Sequence, residues 1–599
     1  MTVDTVDNIA DLVAYPVPAN ADTVVYVEGY YNPGDGGGSM FWYAPDLNTI
    51  EDLGIHFRPN GREPDSNGMW VRQYDGYINA MFFGICKYPL NPAPPYNSGR
   101  IQNAIDYINR TMTSTAPPPD EPKLIHRGAL TLFFPAGAYF IGETITLKNR
   151  VHMIGDNETQ FWVNTKLLNN KYMFVIEKGP ISDIFMENFY LDLGYIRDGE
   201  SFNTGGFFIE AEVIDPLDPK SAGGLAGATF NNIKIMNTGL HGMWLKGGDG
   251  TVGPLLGRRC NQFIYCTDVL IERRSEKYNC LRMTGLQCNV VFNYGGFGIP
   301  YHDLKEGDTP VMEHGTNVWI DSVYPGPSED NAMIIFNNVG IGAGPGLIPR
   351  FGFVINHAEN INMDNCWFEN NAISVFVRNS KDVNILNSRF ADANLGIFDP
   401  ELGYMGDCIR VENSSVNVQN NFTTTSKLPY IRETNYVPLF IRGIGGDKGP
   451  ENNTINALNN SFHDIILSNT YGIVQLTKIH DVPTYYFSPP TPASISGIET
   501  QGKKVLVVLK GKNGETDMTD IYRINSMINA GEMLTIMAGD ANLTLWNWGS
   551  AGETSGHNIN LGLASTASLP LLHGQTAHFI KADGVNNQEK CAYTLLSIQ

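Results

Sequence analysis

Charge is scarce in this chain. Only 17% of its 599 residues are Asp, Glu, Lys or Arg, and the basic ones are the minority, 41 against 62. A formal net charge of −21 argues against nucleic acid, because phosphate binding needs a basic face. It also disfavours a highly charged polyanion as ligand, unless a local basic groove overrides it. Long apolar runs are absent as well. No stretch approaches the ~20 apolar residues of a membrane-crossing helix, so no membrane insertion is expected. The opening MTVDTVDNIADLVAYPVPANADT has neither a basic start nor an apolar centre and does not read as a secretory signal. The eight cysteines form no CxxC and no metal spacing with histidine. They read as buried free thiols, which suggests assembly in a reducing cytoplasm, and no metal or other cofactor is expected.

What is plentiful is glycine, asparagine and aromatic side chains, with 42% hydrophobic residues to build a core. This suits a β-rich, turn-rich protein. Between Asn360 and Phe390 the chain reads NINMDNCWFENN and then DVNILNSRFADAN. Set 22 residues apart, the segments superimpose: Ile361 on Val383, Asn362 on Asn384, Met363 on Ile385, Asn365 on Asn387, Phe368 on Phe390. Such a period with alternating polarity signifies a β-solenoid, one coil per repeat. Equivalent side chains then sit about 4.8 Å apart on stacked coils, and the sequence becomes a map of neighbours.

Three regions follow. Residues 1–85 read as a small β-rich module, with VVYVEGYY as a strand and PGDGGGSMFWYAP as a glycine loop entering an aromatic strand. No GK[ST] follows the loop, so a close-packed turn is expected there rather than a phosphate cradle. Residues 86–485 carry the coils. NSGRIQNAIDYIN has helical spacing at Ile101, Ala104, Ile105 and Ile108, and a helix there would cap the first coil. Insertions at 213–229, 294–315, 325–331 and 399–406 are too long for tight turns and are places for binding or catalysis. PTYYFSPPTPAS reads as a linker, and 495–599 as an antiparallel β-sandwich.

The opening VEGYYNPGDGGGSMFWYAP with MWVRQYDGYINAMFFG, and then RIQNAIDYIN…LTLFFPAGAYFIGETITLKNRVHMIGD, resembles the pectate-lyase superfamily of phage tailspikes and capsular polysaccharide depolymerases. The resemblance implies an all-β fold: a right-handed, single-stranded parallel β-helix with an N-terminal β module and a C-terminal trimerisation domain, assembled as a homotrimer. It implies cleavage or binding of a polysaccharide, attachment to a phage tail baseplate through the N-terminus, and a place on the virion. A secreted bacterial enzyme is the alternative. The paired-aspartate NTD…DD pattern of related pectinolytic hydrolases is absent.

Glycoside hydrolysis needs two carboxyl groups, about 5–5.5 Å apart for retention and about 6.5–9.5 Å for inversion. The repeat map places Glu369 diagonally across from Asp392 on the next coil, and this is the expected acid/base pair. Arg378, Arg410 and Glu412, with Trp367, Trp319 and Asp303, are the expected sugar contacts, since sugars stack their apolar faces on rings. Elimination on a uronate would need a base and a carboxylate partner. Tyr301 and His302 in the loop FGIPYHDLKEGDTPVMEHG, with Lys246 or Arg282, are the candidates for that chemistry. His241, in NTGLHGMWLKGG, reads first as a turn histidine. An enzyme, a glycan-binding adhesin and a structural spacer thus remain the three readings, with hydrolysis preferred.

Overall fold

A computed structural model describes residues 3–424 apart from 19–22, 89–95, 114–129, 165, 177–179, 195–202, 212–223, 249–260, 300–310, 322–332, 344–346, 392–396, 400–402 and 406; beyond 424 it describes individual strands only. The chain forms two compact units, 1–300 with 322–335, and 301–321 with 336–599.

The first unit begins with a five-stranded sheet, in the order Asp4–Val6, Val24–Val27, Ser39–Ala44, Met69–Arg72, His56–Phe57. The helix Ile9–Ala14 covers it, its first turn capped by Asn8, around a core of Leu12, Val25, Val27, Phe41, Tyr43 and Trp70. Asp35 folds back into the glycine loop and accepts the N–H groups of Tyr30, Tyr31, Asn32 and Gly37 at 2.7–3.1 Å. The donors that would hold a phosphate are therefore taken by the chain's own carboxylate, and the loop is a close-packed turn as expected. Arg72 is buried between the rings of Phe41 and Phe82, 4.5 and 4.4 Å away. Its guanidinium donates to the carbonyls of Gly54 and Gly37, and burial pushes its pKa down to about 9.

The expected helix spans Ser98–Thr113. It buries Ile101, Ala104, Ile105 and Ile108, and Gln102 exchanges hydrogen bonds with the Thr146 backbone of the first short strand. From there two parallel ladders run through the unit. One contains the long strands Pro180–Asp192, Gly224–Thr238, Asn261–Arg273 and Gln287–Ile299. The other contains Ile145–Leu147, Lys171–Ile176, Thr204–Glu210, Met243–Lys246 and Leu281–Thr284. Phenylalanines stack inside from coil to coil, as with Phe174 on Phe207 at 5.0 Å and 13°.

In the second unit the repeat register is the one read from sequence. Ile361 pairs with Val383, Asn362 with Asn384, Met363 with Ile385 and Phe368 with Phe390. The two phenylalanine rings stack at 4.7 Å and 8°. At one of its corners each coil carries a left-handed asparagine: Asn338, Asn365, Asn387 and Asn420 all have φ between 48 and 56°. Asparagine tolerates this region because its short amide bonds locally. Here the amides also bond along the column, Asn387 to Asp364 at 2.7 Å and Asn420 to Asn387 at 3.2 Å.

Some expectations need correction. Residues 224–229 and 294–299 belong to strands, so the insertions at 213–229 and 294–315 are shorter than supposed. Part of 399–406 lies in a hairpin, Ile397–Asp399 with Gly403–Met405. The supposed linker contains strand Val482–Phe487; its Thr-Tyr-Tyr-Phe run favours a strand, and its proline sits at the strand's start, where sheets tolerate it. The C-terminal sheets are mixed, not antiparallel. Val505–Leu509 pairs in parallel with both Val482–Phe487 and Met533–Ala538, while Met533–Ala538 pairs antiparallel with Thr576–Lys581. Alternating polarity reports a half-buried strand and carries no information on pairing direction. Among the described residues six cysteines are free: Cys86, Cys266, Cys280, Cys288, Cys366 and Cys408.

The corner column yields a stability prediction. Asn387→Ala should cost about 1–2 kcal/mol, from the left-handed backbone and the two lost amide bonds, and Asn387→Gly should cost less. Thermal unfolding of the two variants checks the order; equal losses would mean that backbone conformation is not what the asparagine supplies.

Candidate functional site

From Phe207, Met243 and Leu281 onward the short strands of the first unit alternate between inside and outside. Phe207, Ile209, Met243, Leu245, Leu281 and Met283 are buried, so Phe208, Glu210, Trp244, Lys246, Arg282 and Thr284 face outward. The register sets Phe208 beside Trp244 and Trp244 beside Arg282, with Glu210, Lys246 and Thr284 as a second row. The Phe208 and Trp244 rings lie 5.0 Å apart. Tyr172 stacks on Phe208 at 5.3 Å and 26°. It does so by lying across Gly205, where a Cβ would come within 2.3 Å of the ring. The backbone of His241 hydrogen-bonds the Tyr172 hydroxyl, while burial raises the pKa of that hydroxyl.

Polar groups border the ring row. Lys246 pairs with Glu210 and stands 6.0 Å from the Trp244 ring; the Trp244 indole donates to Thr284 Oγ1 at 3.3 Å. His241 is buried edge-on against Trp244 and Tyr278, at 5.2 and 5.1 Å. Its Nδ1 accepts the Asn279 N–H at 3.0 Å, which assigns the neutral ring's proton to Nε2. Burial first, and the Arg282 charge second, push its pKa down to about 3. The result is a strip of half-exposed rings with two cations alongside. Such a strip binds pyranose faces by stacking and offers charge partners to an acidic sugar. Among the described residues it holds one carboxylate, Glu210, and no acid/base pair.

Two further carboxyl groups lie two strands apart on the long-strand ladder, near the strand ends. Asp192 accepts from Asn237 Nδ2 at 2.7 Å and from the Gly194 N–H at 3.1 Å. Glu272 lies two strands away, opposite the bulge between Ile235 and Thr238. Burial raises the Glu272 pKa, with Arg274 opposing. Burial also raises that of Tyr190, with the charges of Asp192 and Glu272 adding to the rise.

In the second unit Glu369 is half-buried and stands in register with Ala391. Asp392, Tyr301, His302 and Asp303 lie outside the described residues. Trp367 is exposed, with the Arg389 guanidinium 4.6 Å over its ring. Arg378 and Glu412 come together at 3.1 Å. Arg410 does not join them at the surface: it is 3% exposed and bonded to the buried Asp407 at 2.8 Å. Trp319 packs against the apolar cluster of Phe351, Val354 and Phe376. Glu359 and Lys381 form an ion pair at 3.3 Å. Of this strip, sequence reasoning had singled out Lys246, Arg282 and His241 but not Tyr172, Phe208 and Glu210. Among the described residues no group of three or more His, Cys, Asp or Glu is placed to hold a metal ion, and no helix is long and apolar enough to cross a membrane.

Residues 5–75 match the phage tail protein small four-stranded β-sheet domain. The fold is similar to the enzymatically active domain of tailspike protein 2 of bacteriophage CBA120, at 10% identity and a TM-score of 0.50, over 100% of this chain and 80% of that one. Tailspike protein gp49 of Acinetobacter baumannii bacteriophage Fri1, a capsular polysaccharide depolymerase, aligns at 14% identity and a TM-score of 0.42, over 77% of this chain and 71% of that one. No curated protein matches the sequence. The chain is thus tailspike-like in its parallel-β fold, with an N-terminal segment of a kind found in phage tail proteins.

His241 supplies a pH prediction. A histidine whose folded pKa lies below its unfolded value protonates first in the unfolded chain. Its stabilising effect is therefore present above the unfolded pKa of about 6.5 and is lost as pH falls toward the folded value. Between pH 7 and 4.5 this should remove about 2–3 kcal/mol. Urea unfolding of wild type and His241→Gln at both pH values tests it: the variant should lose distinctly less, and equal losses would mean that His241 titrates normally.

Proposed function

We propose that the chain is a polysaccharide depolymerase of the tailspike kind, an endo-acting glycoside hydrolase working at a bacterial surface as part of a phage tail. In this reading it is a homotrimer joined to the virion through its N-terminal module. The observation that carries the glycan reading is the outward row Tyr172, Phe208 and Trp244, held in step by the strand ladder and bordered by Lys246 and Arg282. A solenoid serving only as a spacer has no need of a tyrosine laid across a glycine to extend a ring row.

Glu272 and Asp192 suit the two roles of inverting hydrolysis. Glu272, its pKa raised by burial, protonates the departing glycosidic oxygen. Asp192, bonded to two N–H donors, takes a proton from the water that attacks the anomeric carbon. Two strands separate backbones by roughly 9–10 Å, comparable with the inverting separation of about 6.5–9.5 Å. Glu369 with Asp392 is the second pair that adjacent coils offer.

Digestion of a panel of bacterial surface polysaccharides, followed by new reducing ends and by ultraviolet absorbance of an unsaturated uronate, tests this. Reducing ends without absorbance are expected. Trp244→Ala should raise KM about tenfold, and Glu272→Gln should lower kcat about a hundredfold. If Glu369→Gln is the damaging variant and Glu272→Gln is not, the acid belongs to the second unit. Absorbance would replace hydrolysis by elimination, and binding without cleavage would make the chain an adhesin.

A further inference from the structure

The long-strand ladder of the first unit turns its corners on two columns of left-handed residues. One column is Asp183, Gly227, Phe263 and Asn289; the other is Asn188, Asn232, Asp268 and Tyr294. Six of these eight positions hold the residue types that tolerate this backbone. The other two hold large aromatics, Phe263 at φ 55° and Tyr294 at φ 60°. A bulky side chain in this region is a strained exception, and such strain persists where it serves something. Neither ring serves the core: Phe263 is 45% exposed and Tyr294 58%. Tyr265, 44% exposed, stands between the two columns on the outer face of the same strand.

We propose that Phe263, Tyr265 and Tyr294 form a second saccharide-binding platform on the outer face of the long strands, taking an uncharged stretch of the glycan. This rests on the reading of the chain as glycan-binding. From the Phe263 column to the Tyr294 column is five residues along the strand, roughly 16 Å, a span that accommodates several sugar units. The rings are spaced singly among polar positions, Gln262, Thr267, Asn289 and Asn293, instead of forming one apolar patch. Stacking flanked by amides and hydroxyls suits a polyhydroxylated chain. Among the described residues of these four strands the charges on the rows and corner columns are acidic, Asp183, Glu187 and Asp268; the preceding coil adds Arg150 to the Asp183 column and places His152 3.4 Å from Asp183. A second copy laid on the same face would meet like charge around Phe263, Tyr265 and Tyr294.

The test uses the residue type that neighbouring coils place at the same corners. In the full chain, Phe263→Asn and Tyr294→Asn should leave the Tm unchanged or raised, because the strain is relieved. The same variants, with Tyr265→Ser, should weaken retardation in gels containing dextran, galactomannan, alginate or purified capsular polysaccharides by about five- to tenfold per ring. A fall in Tm with binding unchanged would overturn the proposal, because the rings would then be structural. A changed sedimentation coefficient would overturn it in favour of a contact between copies. If Trp244→Ala loses retardation while all three variants keep it, this platform fails and the short-strand face stands. If no gel retards the wild type, the glycan reading fails and the platform with it.

Discussion

The corner is the constraint on which the solenoid depends. A coil that must turn within one residue has to enter the left-handed region, where a Cβ normally collides with the following carbonyl. It also swings a backbone N–H out of the ladder and toward the interior, where an unmet donor is costly. The next coil meets both demands. Asn365 and Asn387 take the bend. The residue after each bend then donates inward, Cys366 N–H to Ser388 Oγ at 3.0 Å and Ser388 N–H to Asn421 Oδ1 at 2.7 Å. Each corner is thus completed by the coil after it, and the aromatic stack follows from the same register. This coupling of neighbours is why such a coil has no stability alone.

A ladder fixed in this way spaces anything on its outer face by one strand. Phe208 and Trp244 sit 5.0 Å apart for that reason, and the spacing comes from backbone hydrogen bonds rather than from the rings. Ordering the site therefore costs little at the moment of binding, since the side chains are already aligned. Gly205 adds a departure from the simple row. A Cβ at position 205 would collide with the Tyr172 ring, so it is the glycine that lets this ring lie across the next coil toward the His241 backbone.

What the sequence disclosed and what it concealed divide along the same physics. Where coils keep one length, as from Glu359 to Ala391, the 22-residue offset alone returned the pairing of Asn362 with Asn384 and of Phe368 with Phe390. In the first unit coil length changes, with Phe208 and Trp244 36 residues apart and Trp244 and Arg282 38 apart. No constant period exposes that row, so Phe208 and Tyr172 went unseen while Lys246 and Arg282 were noticed by type. Arg410 shows the converse failure. It was expected among the sugar contacts with Arg378 and Glu412, but Asp407, on its own strand's approach, draws it below the surface. Pairing direction in the C-terminal sheets was hidden for a third reason, since polarity alternates alike in parallel and antiparallel strands.

The two outer faces of the first unit differ in charge, and this bears on what a single glycan could do there. The short-strand face carries Lys246 and Arg282 beside its rings, with Glu210 offsetting one of them. The long-strand face has rings among amides and acids. A polysaccharide with a repeating acidic sugar would place that sugar on the first face and its neutral residues on the second. The net charge of −21 then acts as a filter. It repels a uniformly charged polyanion at a distance, while a chain that is acidic only at intervals meets a cation where its charge falls. Discrimination would come as much from the repulsion the surface imposes as from the contacts the site offers.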